Sequence, residues 1–434
     1  MASLDTYFEI SKRGSTLGRE VRGAVATFLT MGYILLVNPQ ILHGGGVPLN
    51  VATVATATAA GICCILMGFI ANFPIALASG MGLNAVVAFQ VVPAAGSWQA
   101  AMGLVVLDGL LTLVLVMAGL REAVMNAIPR DLRLAIGAGI GLFIAFIGLV
   151  NAKLVVIGIP AAPVGPGDLR DKATLVAAIG VLITAVLVAR KVTGSLIIGI
   201  AVTTSLAYAT GAQRWSGTIG RPDLSGLRFV ADVNGALQWK LVPLLFAIIM
   251  VDFFDTLGTA SAIAEEAKLV DERGRIPGIR RILMIDSISA AIGGALGASS
   301  VTCYIESAAG VAEGARTGLH TVIVGVLFLL AIAAAPLAGF VPTYATAPAL
   351  IVVGVLMMGQ VARIDFENLE TAIPAFLTLL AIPMTYSIAH GIGFGFISYC
   401  VIKAASGKWK DVHVLMYVTA AAFAAWFAWG HRDY

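Results

Sequence analysis

The sequence predicts an all-α polytopic membrane protein with about 14 transmembrane segments. Its 434 residues are 59% hydrophobic and 12% charged, whereas charged residues make up about 25% of a typical soluble domain. Apolar runs of roughly 20 residues, the length that crosses a bilayer, recur along the whole chain. The 48 glycines favour close approach and interruption of membrane helices. We therefore expect the chain to lie in a lipid bilayer.

The apolar runs fall into two sets separated by a polar stretch. The first set lies at residues 22–42, 52–72, 98–119, 133–151, 172–189 and 193–211. The second set lies at residues 240–262, 279–298, 319–338, 344–361, 369–388 and 389–405. Two further segments, near 76–92 and 298–314, are interrupted by small residues and predict broken half-helices. A last run at 411–430 is surplus to fourteen crossings.

The layout of the two sets predicts an inverted repeat of seven plus seven segments. In each set the start of the broken segment lies about 58 residues after the start of the first span. Two like-folded halves with seven crossings each would have opposite orientations. The predicted divisions are a cytoplasmic N-terminus (1–21), a first repeat (22–212), an extracellular linker (213–239), a second repeat (240–406) and a C-terminal hydrophobic segment and tail (407–434).

Positive charges in the loops set the predicted orientation. Lys and Arg near span ends favour the cytoplasm, and Lys12, Arg13, Arg19 and Arg22 precede the first span. The basic residues of later loops fall on the same side when each broken segment counts as one crossing. We expect a cytoplasmic N-terminus and a multi-pass protein of the bacterial inner (plasma) membrane.

Two apolar runs each contain an acidic residue at membrane depth. Asp255 lies in LLFAIIMVDFFDTLGTASAIA (residues 244–264), and Glu306 lies in GASSVTCYIESAAGVAEG (residues 297–314). Ionised carboxylates are costly inside a bilayer and usually face a cavity or a substrate. Asp255 and Glu306 are therefore predicted to bind substrate, which favours transport as the function.

Two more acidic residues have two interpretations each. Asp252 lies three residues before Asp255, on nearly the same helix face, and either supports the site or is a buried structural acid. Asp108 in VVLDGLLTL is either a proton relay or a partner in an interhelical hydrogen bond. We name both as candidates for proton coupling or site support.

The broken segments supply further polar groups. A helix that starts in mid-membrane leaves backbone N–H groups that protein, water or ligand must satisfy. Asn84 in GMGLNAVVAF offers an amide donor and acceptor, and Ser307 beside Glu306 offers a hydroxyl. Together these groups predict a site for a flat ligand with several polar edges.

Other functional classes lack their sequence features. The chain contains no HExxH, GxSxG or nucleotide-binding loop, so we do not expect an enzyme. Its four cysteines lack metal-type spacing, and we predict no metal and no cofactor. The sequence has no basic stripe with interleaved aromatic residues, the pattern typical of nucleic-acid binding, so we predict no nucleic-acid partner. A channel, which prefers a continuous polar pore, and a structural scaffold remain alternatives.

Four stretches carry a resemblance to a known family. The runs REVRGAVATFLTMGYILLVNPQIL, ASGMGLNAVVAF, MVDFFDTLGTASAIAEEA and GASSVTCYIESAAGVAEGARTG resemble the signature stretches of the AzgA-like purine permeases. These permeases are a branch of the nucleobase–ascorbate (NCS2) transporter superfamily. The resemblance implies fourteen helices, a core domain that moves against a gate domain, and a homodimer. It also implies import of adenine, guanine or hypoxanthine with protons.

The resemblance also implies which residues contact substrate. The family's positions fall on Asn84, Asp255 and Glu306, and Ser307 is adjacent. The family often has an aromatic residue just after the asparagine, where this chain has Val86 and Val87. The ring that stacks on the base is then Phe89, Phe253 or Phe254, and we name Phe254 as the candidate. An anion carrier of the same fold, of the sulfate or bicarbonate type, is the closest alternative.

Overall fold

The protein is described by a computed structural model over residues 2–119, 127–159, 162–214, 224–271 and 276–429, without the side chains of residues 2–3, 225–226, 253–255 and 429. Within these residues, nine helices are long and apolar enough to cross a membrane, and four shorter apolar helices accompany them. This architecture confirms the predicted polytopic helical membrane protein.

In the described residues of the first half we find ten helices and three strands. They are α1 (Ala2–Phe8), α2 (Leu17–Met31), α3 (Ile34–Gly44), α4 (Leu49–Leu66), β1 (Leu77–Ser79), α5 (Met81–Val86), α6 (Val92–Ala95), α7 (Trp98–Met117), α8 (Arg130–Asn151), β2 (Val155–Ile159), β3 (Ala162–Pro166), α9 (Lys172–Ala189) and α10 (Ser195–Ala209). Single π-helical turns at Met67–Ala71 and Val87–Val91 extend α4 and α5.

The second half repeats the beginning of this order of elements. It contains α11 (Val233–Ala236), α12 (Val242–Glu266), α13 (Ile279–Leu296), β4 (Val301–Cys303), α14 (Ser307–Ala312), α15 (Gly318–Ala331), α16 (Thr343–Met358), α17 (Leu369–Met384), α18 (Ile388–Ala405) and α19 (Val414–Trp429). Short 3₁₀ segments lie at Leu224–Leu227, Trp239–Leu241, Ile332–Phe340, Gly359–Arg363 and Trp409–Asp411. In both halves a long span, a second helix, a strand and a short helix follow one another.

The helices pack in two groups. In the core group, α7 packs on α13, α4 packs on α15, and α2 contacts both α14 and α15. In the gate group, α8 packs on α16 and α17, α17 packs on α18, and α9 contacts α10 and α16. This division agrees with the core and gate expected from the sequence.

The first span differs from its predicted form in two ways. It begins at Leu17 rather than at residue 22, because the Thr16 hydroxyl accepts a hydrogen bond from the Arg19 N–H and caps the helix. It is also interrupted, since α2 ends at Met31 and α3 starts at Ile34. Tyr33 lies at this interruption and is buried in the protein interior, where its side chain is 1% exposed.

Two pairs of strands accompany the helices. The strands β1 and β4 pair antiparallel, with Ala78 opposite Thr302, so the two predicted broken segments meet at their extended parts. The strands β2 and β3 form a hairpin between α8 and α9, which the sequence analysis did not predict. The first pair positions the candidate site.

Candidate substrate site at the crossing of the broken segments

The backbone of the two broken segments is satisfied where they cross. Besides the β1–β4 ladder, the Gly80 N–H donates to the Ser300 carbonyl at 2.8 Å, and the Tyr304 N–H donates to the Ala76 carbonyl at 2.9 Å. Irregular backbone at membrane depth persists only where such partners exist. The crossing is therefore a fixed platform from which α5 and α14 depart.

Asn84 lies on α5, one turn beyond the crossing. Its side chain is fully buried, and its backbone N–H donates to the Gly80 carbonyl at 2.9 Å. Among the residues that the structure describes, neither the amide nitrogen nor the amide oxygen of Asn84 has a hydrogen-bond partner. A buried amide without partners is costly, so this amide is available to a polar ligand.

Glu306 precedes the first residue of α14 and is partly exposed. Its Oε1 accepts a hydrogen bond from the Tyr33 hydroxyl at 2.9 Å. Tyr33 comes from the interruption in the first span and was not a predicted site residue. A tyrosine in an apolar run has no sequence signal that separates such a contact from ordinary packing.

Ser307 is buried and participates in the crossing itself. Its hydroxyl donates to the Tyr304 carbonyl at 2.7 Å and accepts from the Ala76 N–H at 2.9 Å. The first bond lies within the second broken segment, and the second bond joins this segment to the first one. Ser307 therefore has a structural role, and its contact with a substrate stays a prediction.

Asp252, Phe254 and Asp255 all lie on α12. Asp252 is fully buried on α12, a helix that contacts α5, α14 and β4. The side chains of Asp255 and Phe254 lie outside the described residues, although their backbone belongs to the same helix. The helix that carries all three predicted residues thus passes both half-helices.

Asp108 is fully buried on α7. The next residue, Gly109, approaches the backbone of α13 so closely that a Cβ there would overlap Ala291 and Ser287. Asp108 accordingly lies in the part of the core group where α7 and α13 pack together. The structure does not bring it to the crossing through a described contact.

A fully buried carboxylate, Asp286 on α13, lies beside the crossing. The Thr256 hydroxyl donates to Asp286 Oδ2 at 2.6 Å, and the Thr302 hydroxyl donates to Oδ1 at 3.4 Å. The two threonine hydroxyls are 3.0 Å apart. Asp286 on α13 is therefore joined to α12 through Thr256, the residue after Asp255, and to β4 through Thr302.

Comparison with known proteins identifies the family. Residues 18–425 match the sequence profile of the permease family. This chain belongs to that family. Adenine permease AdeQ of Escherichia coli K12 is 41% identical over 97% of this chain and 95% of its own length. Guanine/hypoxanthine permease PbuO of Bacillus subtilis 168 is 38% identical over 96% of this chain and 98% of its own length.

The family assignment confirms the predicted NCS2 superfamily and makes the chain a transporter rather than an enzyme. Among solved structures, the transmembrane domain of the cyanobacterial bicarbonate transporter BicA superposes on this permease with a TM-score of 0.59. The two are 16% identical, and the match covers 87% of this chain and 97% of that domain. At this identity the likeness shows a common fold.

Proposed function

We propose that this permease imports purine nucleobases, namely adenine, guanine or hypoxanthine, in symport with protons. The observation that carries the proposal is the buried Asn84 amide, whose polar atoms lack partners within the described residues. A purine edge presents donors and acceptors side by side, which an amide complements. The similarity to AdeQ and PbuO over nearly the whole chain supports purines as the substrate class.

Each candidate residue has a proposed role at the site. Glu306 and Asp255 accept ring or exocyclic N–H groups of the base, because carboxylate acceptors form stronger hydrogen bonds than neutral ones. Asn84 reads the adjoining edge, and the Phe254 ring stacks on the face of the base. Asp252 or Asp108 supports the site or carries the coupled proton.

Proton coupling supplies the driving force in this proposal. A neutral base gains nothing from the membrane potential, whereas each cotransported positive charge contributes about 2.3 kcal/mol per 100 mV. This free energy corresponds to roughly a fiftyfold concentration ratio. An intramembrane acid that binds and releases a proton is sufficient for such coupling.

The proposed transport cycle uses the two helix groups. The core group carries the substrate between the two sides of the membrane while the gate group stays in place, which is alternating access. In the proposed topology the N-terminus is cytoplasmic, the repeats span 22–212 and 240–406, and the linker at 213–239 is extracellular. A bacterial inner-membrane location and a homodimer complete the proposal.

An anion carrier is the second candidate because the bicarbonate transporter domain shares the fold. Fold similarity alone does not assign a substrate. Two carboxylates at the binding level disfavour an anion unless they are protonated or balanced by a cation. The acidic site therefore favours the neutral base.

Uptake of labelled bases tests the function. We would express the chain in cells that lack purine permeases and measure uptake of adenine, guanine and hypoxanthine with and without a protonophore. Asp255→Asn and Glu306→Gln serve as site variants, and the amount of each protein in the membrane is measured in parallel. Replacing sodium by choline separates proton from sodium coupling.

The proposal predicts saturable purine uptake that collapses with the protonophore and in both variants. Sodium replacement should leave uptake unchanged. Membrane-inserted protein that takes up none of the three bases would contradict the proposal, and bicarbonate or sulfate uptake by the same cells would establish the anion carrier.

A further inference from the structure

The first span lies along the whole length of the second broken segment. The Asn38 amide donates to the Ala298 carbonyl at 3.1 Å, before β4. At the other end of the span, Glu20 accepts the backbone N–H groups of Arg316 at 2.9 Å and His320 at 3.2 Å. These contacts hold the span against the segment on both sides of Glu306.

The backbones also approach each other between these contacts. Thr27 and His320 share a hydrogen bond of 2.8 Å between Oγ1 and Nε2. A Cβ at Gly310, on α14, would overlap this pair and the Gly23 carbonyl. The span and α14 are thus in register without room to slide, which fixes where Tyr33 meets Glu306.

The Tyr33 hydroxyl has an unusual partner for this protein. In the described part of the chain, four other tyrosine hydroxyls donate to backbone carbonyls: Tyr7 to Phe69, Tyr208 to Phe340, Tyr304 to Ser79, and Tyr417 to Trp409. Tyr33 donates instead to a carboxylate at the candidate site. Packing of a buried tyrosine requires a partner for its hydroxyl, but a backbone carbonyl satisfies that need equally well.

We propose that Tyr33 is a positioning residue for purine recognition, which rests on the proposed function. Its buried ring, held at the break between α2 and α3, aims a donor at Glu306 Oε1 and fixes the plane of the carboxylate. Hydrogen bonds to a planar base depend on that orientation. With one oxygen held by Tyr33, the carboxylate presents its remaining acceptor positions to the N–H groups of the base.

The hydrogen bond of Tyr33 indicates how this residue acts on the base. The Tyr33 hydroxyl donates to Glu306 Oε1 at 2.9 Å, so Tyr33 acts on the base through the carboxylate that it holds. Removing the hydroxyl while keeping the ring isolates the proposed contribution.

The test is the kinetics of purine uptake by Tyr33→Phe, with protein amount in the membrane measured for each variant. We expect KM for the transported purine to rise about tenfold, with a maximal rate per molecule within about twofold of the unmodified chain. Tyr208→Phe removes a hydroxyl that bonds a backbone carbonyl on the gate side and should leave KM unchanged. The split between KM and rate distinguishes positioning from a loss of folded protein.

A double-variant cycle decides whether Tyr33 acts through Glu306. In a Glu306→Gln background, adding Tyr33→Phe should change the residual KM by less than about twofold, because the oriented carboxylate is already lost. An equal KM effect in both backgrounds, or an unchanged KM in Tyr33→Phe alone, would overturn the positioning role while purine transport stands. If the unmodified chain transports no purine, both the role and the proposed function fail.

Discussion

Asn38 and Asn84 are both fully buried asparagines on helices of the first half, but their amides have different surroundings. The Asn38 nitrogen donates to the Thr56 hydroxyl at 2.8 Å and to the Ala298 carbonyl at 3.1 Å. The Asn38 oxygen has no partner among the described residues, whereas for Asn84 both the amide nitrogen and the amide oxygen lack one there. Asn38 connects segments of the core group, whereas Asn84 is left for a ligand.

The carboxylates of Asp286 and Glu306, both beside the crossing, also differ in their surroundings. Asp286 is fully buried and accepts bonds from two threonine hydroxyls. Glu306 is partly exposed and accepts the Tyr33 hydroxyl. Buried polar groups usually find their partners within the protein, as Asp286 does. The two carboxylates differ in burial, whereas the two asparagines are equally buried and differ in their hydrogen bonds.

The largest expected effect comes from Glu306→Gln. Replacing the charged acceptor should lower purine uptake, measured as maximal rate divided by KM, about 100-fold, because hydrogen bonds to charged groups contribute about 1.5–3 kcal/mol each. The melting temperature of the purified protein should change little. If the variant takes up purine as fast as the unmodified chain, Glu306 does not bind the substrate.

Asp286→Ala should act on stability instead. Two threonine hydroxyls lose their acceptor in the interior, and the free energy of unfolding should fall by about 2 kcal/mol. Thermal unfolding in detergent measures this change. A stable variant would show that the cluster of Asp286, Thr256 and Thr302 is not needed to hold α12 against α13.

Asn84→Ala and Asn38→Ala form a matched pair. Asn84→Ala should raise the purine KM about tenfold, with an unchanged or slightly higher melting temperature, because an unsatisfied buried amide is removed. Asn38→Ala should keep KM and lower the free energy of unfolding by about 1 kcal/mol. If both variants lose stability alike, the distinction between the two asparagines is wrong.

The smallest expected effect is steric. At Gly310 an added methyl group would overlap Thr27 and His320, so Gly310→Ala should cost about 1 kcal/mol of stability and displace α14. Gly339→Ala is the control, since a Cβ there meets nothing within 4 Å. Melting temperatures of the two variants give the comparison, and equal values would argue against close packing of α14.

Local signals in the sequence were sufficient to predict where most spans and both broken segments lie. Hydropathy located the long helices because a lipid-exposed segment must be apolar over its length, and nine of the described helices are long and apolar enough to cross a membrane. Small residues around Asn84 and Glu306 indicated the interruptions. The start of the first span was misplaced because Glu20 and its basic neighbours lower the hydropathy, although Glu20 is buried as the partner of Arg316 and His320 N–H groups.

Contacts between distant parts of the chain were beyond sequence reasoning. Tyr33 and Glu306 are 273 positions apart, and nothing in the local pattern around Tyr33 indicates a polar partner. Ser307 was predicted at the site from its hydroxyl alone, but that hydroxyl bonds Tyr304 and Ala76. The β2–β3 hairpin was missed because its short runs resemble an ordinary loop between spans.

Purine binding to purified Asn84→Ala, measured by titration calorimetry beside Asn38→Ala and the unmodified chain, tests the central claim most directly. The account predicts that Asn84→Ala weakens the dissociation constant about tenfold while Asn38→Ala binds like the unmodified protein. Equal purine affinity in Asn84→Ala and the unmodified protein would contradict the assignment of this buried amide to the substrate.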